Sequence, residues 1–147
     1  MKSKEITILL VEDNPGDIRL VREALDECGM HHRLEVVTDG VQALDHLRRE
    51  KAASKKSLPD LILLDLNLPK KDGREVLMEL KGDADLRRLP VVVFSSSEAG
   101  EDILGSYDHH ANCYVCKPLE LDAYIKVIGQ IVRFWMDPAE LPPKVFP

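Results

Sequence analysis

The sequence predicts a doubly wound α/β fold, in which a five-stranded parallel sheet is covered by five helices on its two faces. Its 147 residues match the size of one domain with a single core. Four short apolar runs are each followed at once by polar residues, which is typical of strands buried on both faces. Segments with apolar residues at helical spacing lie between these runs. The chain therefore alternates strand and helix, which favours parallel strands joined by right-handed crossovers.

The predicted strands are short and differ in polarity. The four apolar runs comprise residues 8–11, 61–64, 91–94 and 113–116. A fifth segment, residues 34–37, contains a glutamate, so we assign it to an edge of the sheet.

The five predicted helices differ in the strength of their apolar stripes. The first begins at Pro15 with Asn14 as its N-cap and ends before Gly29. The third begins after Gly73, and the fourth, spanning about residues 98–108, is the most polar. The stripes of the other four are formed by Ile18, Val21 and Leu25, by Val41, Leu44 and Leu47, by Val76, Leu77 and Leu80, and by Leu121, Tyr124, Ile125, Ile128, Ile131, Val132 and Trp135.

Charge and composition exclude several classes of function. The net charge is −6 and the basic residues are dispersed, whereas nucleic-acid binding needs a concentrated cationic face, so we expect no direct contact with DNA or RNA. No apolar run exceeds four residues, which is far too short to cross a membrane. Three cysteines are too few for a disulfide framework, and we therefore expect a soluble protein of the cytoplasm.

Polar side chains gather where the predicted strands end. Glu12 and Asp13 follow the first strand, Asp65 the third, Ser95 the fourth and Lys117 the fifth. Because doubly wound sheets bind ligands beyond the carboxyl ends of their strands, we expect these side chains to lie together. Three converging carboxylates repel one another, and Mg²⁺ relieves that repulsion while keeping room for water and phosphate oxygens.

A carboxylate in such a site can act as a nucleophile and form an aspartyl-phosphate. The lysine would neutralise the remaining charge and pair with an incoming phosphoryl group. A single Asp after a strand is more often a helix cap or a turn residue. The combination of acidic pair, Asp65, Ser95 and Lys117 at four strand ends is what makes phosphoryl chemistry the better interpretation.

Four longer motifs surround these residues: VEDN at the first strand end, LILLDLNLPKKDG around Asp65, PVVVFSSSE at the fourth strand and YVCKP at the fifth. Ser95 follows Asp65 by 30 residues and Lys117 follows it by 52. In these motifs and spacings the chain resembles the receiver domain of two-component response regulators over about residues 6–135, which implies the flavodoxin-like topology of that family. The stretches NLPKKDGREVL and NCY and the FW pair of the last helix resemble the single-domain regulators that serve phytochrome kinases.

The resemblance implies a role for each residue at the metal. Asp65 would be the phosphoacceptor and, with Asp13, would bind Mg²⁺ through its carboxylate. Asn67 would bind the ion through its backbone carbonyl, and Glu12 mostly through water.

The resemblance also implies how the phosphoryl group is held and sensed. Ser95 would donate a hydrogen bond to one phosphoryl oxygen and Lys117 would pair with another, with a cis Lys117-Pro118 bond aiming the lysine into the site. Tyr114 would be the switch aromatic that turns inward when Ser95 moves toward the phosphate. Asn67 and Ser97, two residues after the acceptor and two after the hydroxyl residue, would tune the lifetime of the phosphorylated state.

These expectations define a signalling protein that catalyses only its own Mg²⁺-dependent phosphorylation and dephosphorylation. The phosphoryl donor would be a sensor histidine kinase, with a phytochrome as one candidate, or a phosphotransfer protein. Residues 1–136 would form the receiver domain, and residues 137–147, with four prolines, a short tail without an output domain.

Three alternative classes fit less well. A haloacid-dehalogenase-type phosphatase needs a second acid two residues after its nucleophile, where this chain has Asn67. A flavodoxin-like electron carrier needs a Ser/Thr-rich phosphate loop after the first strand, where this chain has Glu12-Asp13-Asn14. A degenerate receiver that acts only as a scaffold would have lost its phosphoacceptor, and Asp65 is present.

The signal is expected to leave through the face formed by the fourth helix, fifth strand and fifth helix, by homodimerisation. Leu121, Ile125, Ile128 and Trp135 could supply most of the buried stripe of the last helix. Its remaining apolar residues and Tyr114 on the neighbouring strand would then form an exposed interface. That predicted interface consists of Tyr114, Val127, Phe134 and Met136. The alternative is that the tail, with Leu141, Val145 and Phe146, folds back over these residues.

Overall fold

A computed structural model describes residues 5–145 and contains one parallel sheet in the strand order β2-β1-β3-β4-β5. This confirms the predicted doubly wound α/β fold. In chain order the elements are β1 (Ile6–Val11), α1 (Pro15–Glu27), β2 (His32–Val37), α2 (Gly40–Ala53), β3 (Leu61–Leu64), α3 (Gly73–Gly82), β4 (Val91–Ser95), α4 (Gly100–Asp108), β5 (Cys113–Cys116) and α5 (Leu121–Met136).

The four apolar runs form β1, β3, β4 and β5, and the more polar segment forms the edge strand β2, as predicted. Both β1 and β2 begin two residues earlier than predicted, because their parallel pairing starts where Ile6 faces His32. Backbone pairing thus extends past the apolar residues. All four residues of β5 are half-buried, unlike those of β3 and β4, because β5 forms the opposite edge of the sheet.

Alternate residues of the central strands pack into two separate hydrophobic cores, one on each face of the sheet. On β1, Leu9 and Val11 face the core covered by α2 and α3, whereas Ile8 and Leu10 face the core covered by α1 and α5. Successive side chains of a strand point to opposite faces, so a continuous apolar run is needed when helices cover both.

Helices α1 and α4 begin where local hydrogen bonds place them. The side chain of Asn14 accepts a hydrogen bond from the backbone N–H of Asp17, and Pro15 is the first residue of α1, as predicted. Helix α4 begins at Gly100 rather than near residue 98, because the carbonyl of Ala99 is the first to accept a helical hydrogen bond, from Ile103.

The exposure of individual side chains in α5 shows that part of the predicted buried stripe is wrong. Its buried residues are Tyr124, Ile128, Gly129, Ile131 and Val132. Leu121, expected to be buried, lies in the first helical turn and is 54% exposed. Val127 and Met136, expected to be outside the stripe, are half-buried against the α1–α5 core, whereas Phe134 is 51% exposed.

Up to residue 145, the C-terminal tail leaves Phe134 of α5 exposed and does not line the groove beside it. Beyond α5 the chain runs to the amino end of β3, where Lys144 Nζ lies 3.1 Å from Asp60 Oδ1. Val145 is exposed and Phe146 lies outside the described residues. For the part of the tail that is described, the alternative of a covering tail is therefore wrong. Among residues 5–145, no helix is long and apolar enough to cross a membrane.

Candidate active site at the carboxyl edge of the sheet

Three carboxylates meet where β1 and β3 end, and we call Glu12, Asp13 and Asp65 the acidic cluster. Each offers one oxygen within 4.8 Å of the others. The parallel pairing of β1 with β3 brings them together, since the backbone N–H of Asp65 donates to the carbonyl of Val11. Glu12 and Asp65 are buried and Asp13 is exposed, so the cluster opens to solvent on one side. The structure thus brings together the three acids that the sequence singled out.

Lys117 reaches into this cluster from the end of β5. Its Nζ lies 2.6 Å from Glu12 Oε1, 3.1 Å from Asp17 Oδ2 and 3.6 Å from Asp65 Oδ2. Its backbone N–H donates to the carbonyl of Ser95, which anchors the residue beside β4. The lysine therefore serves three carboxylates at once, as the expected neutralising charge.

The lysine reaches the site without the expected cis bond. In the described chain the cis peptide is Asp137-Pro138, so Lys117-Pro118 is trans and that expectation is wrong for this structure. The backbone hydrogen bond of Lys117 to Ser95 already directs the side chain toward the acids.

Burial and pairing oppose each other in the electrostatics of the site. Burial raises the pKa of Glu12 to about 7, against the hydrogen bond and attraction of Lys117, and the charge of Asp65 adds to the increase. Burial also works against the charge on Lys117. The hydrogen bond to Glu12 and the attraction of Asp65 and Asp17 outweigh it and raise the pKa of Lys117 above its usual value. The lysine is thus held as an ammonium ion.

Asp17 is a site residue that the sequence analysis missed. It lies in the first turn of α1, and its two carboxylate oxygens have different partners. Oδ2 accepts from Lys117, and Oδ1 accepts a 2.7 Å hydrogen bond from the hydroxyl of Tyr124 on α5. An acid one helical turn after Asp13 was the available signal, but an Asp in a first turn is equally explained by the helix dipole.

Ser95 and Ser97 lie in different surroundings although they are two residues apart. Ser95 is fully buried, and its hydroxyl oxygen accepts a hydrogen bond from the N–H of Ser97. The hydroxyl of Ser97 donates to Asp102 Oδ2 at 2.6 Å, and Asp102 also pairs with Arg74 of α3. The hydrogen bonds from Ser97 and Arg74 lower the pKa of Asp102. Ser97 thus ties the β4–α4 loop to α4 and, through Asp102, to α3.

Tyr114 connects the same loop to β5. Its side chain is half-buried and packs against the α2–α3 core, and its hydroxyl donates to the carbonyl of Ser97 at 2.9 Å. The backbone N–H of Tyr114 donates to the hydroxyl of Tyr107 on α4. The aromatic already lies inward here, in contact with the loop that follows Ser95.

Asn67 and Gly73 shape the chain that follows the acceptor. The N–H of Asn67 lies 3.5 Å from Asp65 Oδ1, and the side chain of Asn67 is exposed. A Cβ placed on Gly73 would lie 2.3 Å from the carbonyl oxygen of Asp65 and 2.7 Å from Leu66 Cα. Helix α3 therefore approaches the acceptor segment so closely that only glycine fits at its first position.

This combination of fold and site defines a response regulator receiver. A profile of the response regulator receiver domain matches residues 8–129, and the chain belongs to that family. Family membership confirms the predicted class of protein and its place in phosphorelay signalling. It also confirms the class of partner, a histidine kinase or a phosphotransfer protein.

Within this family, the chain is similar to individual response regulators of known sequence and structure. The chain is 45% identical over 135 residues to response regulator Rcp1 of Synechocystis sp., covering 92% of each chain. Its fold matches the crystal structure of the phosphorylated cyanobacterial phytochrome response regulator RcpA with a TM-score of 0.88 and 49% identity, covering 95% of this chain and 100% of that one. The Mn²⁺-bound form of Rcp1 matches with a TM-score of 0.85 and 44% identity, covering 94% and 99%.

The donor set of the acidic cluster fits a hard divalent cation. Three carboxylates supply oxygen ligands within reach of one another, and one side of the cluster is open for water. The related response regulator Rcp1 has been crystallised in a Mn²⁺-bound form. Receiver domains bind Mg²⁺ at such an acidic site, so the predicted magnesium site is confirmed at the acidic cluster.

Proposed function

We propose that Asp65 accepts a phosphoryl group from a phosphohistidine and that the resulting aspartyl-phosphate is the signal. The observation that carries this proposal is the position of Lys117 Nζ, 3.6 Å from Asp65 Oδ2 beside the acidic cluster. A carboxylate poised between a divalent-cation site and an ammonium group can attack phosphorus while both positive charges stabilise the transferred group.

In this reaction an oxygen lone pair of Asp65 forms the new O–P bond. The P–N bond of the donor breaks, and its electron pair leaves with the imidazole nitrogen. Asp13 and Asp65 would hold Mg²⁺ through carboxylate oxygens, Asn67 through its carbonyl and Glu12 through water. The ion, when bound, neutralises charge on the phosphoryl oxygens. Lys117 would pair with another phosphoryl oxygen.

The proposal is tested by incubating the purified chain with acetyl phosphate, with Mg²⁺ or with excess EDTA. Intact-mass spectrometry should show the gain of one phosphoryl group with Mg²⁺ and none with EDTA. Peptide mapping after borohydride reduction should place the modification at Asp65. A modification at another residue would refute the assignment.

We propose a sensor kinase of the phytochrome type as the phosphoryl donor. The support is the similarity to RcpA, a cyanobacterial phytochrome response regulator, at 49% identity over nearly the full chain. Phosphotransfer profiling against the histidine kinases of the source organism would identify the cognate kinase. Fastest transfer from a kinase without a phytochrome sensor would contradict this choice.

We place this exchange in the cytoplasm, without nucleic acid as a direct partner. Cys28, Cys113 and Cys116 are free thiols, which suits a reducing compartment. The net charge of −6 disfavours a phosphate backbone. The chain's catalysis would be confined to its own phosphorylation and dephosphorylation.

Ser97, with Asn67, is proposed to tune the lifetime of the aspartyl-phosphate. The Ser97 hydroxyl donates to Asp102 and accepts from the N–H of Ala99, so both contacts are made within the loop and α4. A serine also lacks the carboxylate that could orient a hydrolytic water. We expect Ser97→Glu to accelerate phosphate loss by about threefold or more, because a carboxylate can accept a hydrogen bond from the attacking water. The decay is followed by intact mass after removal of acetyl phosphate.

Asp102→Asn is the matched control for that change. It weakens the contact between Ser97 and Asp102 without placing a carboxylate at residue 97. Equal decay rates in Ser97→Glu and the wild type would contradict the tuning role. Equal acceleration in both variants would assign the effect to the loop instead.

We further propose that the output face is the surface formed by α4, β5 and α5, and that its partner is a second copy of the chain. A groove of about 550 Å³ lies beside the edge strand β5, between β5 and α5. Val127 and Phe134 line it, and Trp135 packs edge-to-face on Phe134. An open apolar groove beside an edge strand is suited to a protein interface.

Phe134→Asp is expected to abolish dimerisation, because it places a charge on the exposed apolar side chain of this groove. Light scattering of phosphorylated and unphosphorylated protein at tens of micromolar would measure it. Met78→Asp on α3 is the control, since Met78 is also 51% exposed but lies away from the groove. A wild type that stays monomeric in both states would exclude the dimer.

A further inference from the structure

We propose that Asp17 is a positioning residue that holds Lys117 in the resting site and releases it to the phosphoryl group. The proposal rests on the proposed phosphorylation of Asp65. Lys117 Nζ is nearer to Asp17 Oδ2, at 3.1 Å, than to Asp65 Oδ2, at 3.6 Å. The ammonium group is thus drawn toward α1 and away from the acceptor.

The orientation of Asp17 is set by contacts on both sides of its carboxylate. The hydroxyl of Tyr124 donates to Oδ1, which leaves Oδ2 facing Lys117. Tyr124 is only 4% exposed and packs edge-to-face on Phe94, with ring centroids 5.2 Å apart. Burial and the hydrogen bond to Asp17 raise the pKa of Tyr124, so its hydroxyl stays a donor. A rigid α5 side chain therefore fixes the acid that holds the lysine.

Asp17 differs from Glu12, the other close partner of Lys117. Glu12 belongs to the acidic cluster, so a bound cation draws on its oxygens. Asp17 is outside that cluster, and its two carboxylate oxygens accept from Lys117 and Tyr124. It therefore remains an acceptor for Lys117 when the metal site is filled, and it is the partner that a phosphoryl group must displace.

The two demands on Lys117 compete because it has a single positive charge. A phosphoryl group on Asp65 brings additional negative oxygens to the site, and the lysine pairs with them at the expense of Asp17. The charge of Asp17 thus favours the unphosphorylated state. Removing that charge while keeping the shape of the side chain should free the lysine for the donor.

Asp17→Asn makes this change, since an amide oxygen can still accept from Tyr124. We expect kcat/KM for phosphorylation by acetyl phosphate to rise about fivefold. The gain should appear mainly as a lower KM, because the freed lysine meets the donor's phosphoryl group before transfer. Asp17→Ala should give the same direction and covers the case in which Asp17→Asn does not fold.

Asp26→Asn is the matched control. Asp26 is on the same helix and carries the same charge, but its side chain is 79% exposed and lies 3.7 Å from His32 Nε2, away from Lys117. This variant should retain the wild-type KM and kcat. If Asp17 had only a structural role, Asp17→Asn would change the unfolding temperature without lowering KM.

A second readout needs neither metal nor phosphoryl donor. The ammonium protons of Lys117 can be followed by ¹⁵N–¹H NMR in metal-free protein, where hydrogen bonds to carboxylates slow their exchange with water. We expect exchange about fivefold faster in Asp17→Asn than in the wild type or in Asp26→Asn.

The outcomes separate this proposal from the proposed function. If the wild type gains no phosphoryl group at Asp65, the proposed function fails whatever Asp17 does. If the wild type is phosphorylated and Asp17→Asn behaves like Asp26→Asn in KM and in ammonium exchange, the positioning role is overturned. A higher KM in Asp17→Asn would overturn it too, since Asp17 would then assist the lysine.

Discussion

Asp65→Asn is expected to abolish phosphorylation while leaving the protein folded and slightly more stable. The amide nitrogen and oxygen of Asn are too weakly nucleophilic to attack phosphorus, so intact mass should show no gain with acetyl phosphate and Mg²⁺. The variant also removes a charge that repels Glu12. Lys117 keeps its two shorter contacts, with Glu12 and Asp17. We expect the free energy of unfolding at pH 7 without metal to rise by about 1 kcal/mol.

The same variant should change the pH dependence of stability. In the folded wild type Glu12 keeps its proton up to about pH 7, whereas in the unfolded chain it releases it near 4.5. The folded state therefore holds more protons in that window, and Glu12 makes the free energy of unfolding fall as the pH rises from 4.5 to 7. Without the charge of Asp65, the pKa of Glu12 is lower and the fall is shallower. Urea denaturation at several pH values between 4.5 and 7 measures how the free energy of unfolding falls in each protein.

Asp26→Asn again serves as the control, with wild-type phosphorylation expected. Phosphorylation of Asp65→Asn to the wild-type extent would remove Asp65 from its assigned role. An unchanged pH dependence would show that Asp65 does not influence Glu12.

Gly73→Ala is expected to cost about 3 kcal/mol of the free energy of unfolding and to slow phosphorylation strongly. The added methyl group would lie 2.3 Å from the carbonyl oxygen of Asp65 and 2.7 Å from Leu66 Cα. Both are backbone atoms that side-chain rotation cannot move away. Either α3 or the acceptor segment must shift, and the backbone N–H of Gly73 donates to the carbonyl of Leu66 at this point. Urea denaturation and the initial phosphorylation rate test the two effects.

Two other glycines give the comparison. Gly105→Ala in α4 meets no atom within 4 Å and should be neutral or stabilising, because alanine favours helix. Gly40→Ala meets the carbonyl oxygen of Lys71 at 2.0 Å, so it should destabilise the fold by a similar amount, with a smaller effect on phosphorylation because it does not touch Asp65. A Gly73→Ala protein as stable as the wild type would contradict the close packing of α3.

Much of the site could be predicted because its polar residues follow apolar runs in the sequence, and because parallel strands end at the same edge of the sheet. Glu12 and Asp65 each directly follow an apolar run and Asp13 follows Glu12, and parallel strands bring their carboxyl ends to one edge. The sequence therefore predicted the acidic cluster, together with Lys117, before any distance was known. The polar edge strand β2 followed equally from its composition.

The residues that were mispredicted or missed depend on packing between distant elements. Asp17 and Tyr124 are 107 positions apart in the chain, and they meet because α1 and α5 cover the same face of the sheet. Apolar spacing suggested burial of Leu121, but only Tyr124 of the first turn of α5 is buried, and Leu121 is 54% exposed.

By itself, the sequence determined the kind of protein: an alternating α/β chain whose strand ends carry the acids, hydroxyl and lysine of a receiver. Tertiary structure alone decided which acids share the lysine, how far Phe134 is exposed and where Lys144 is anchored. The physical reason is that strand pattern and edge chemistry are encoded in neighbouring residues. The partner of a side chain depends on distances across the core, which neither periodicity nor motif spacing contains.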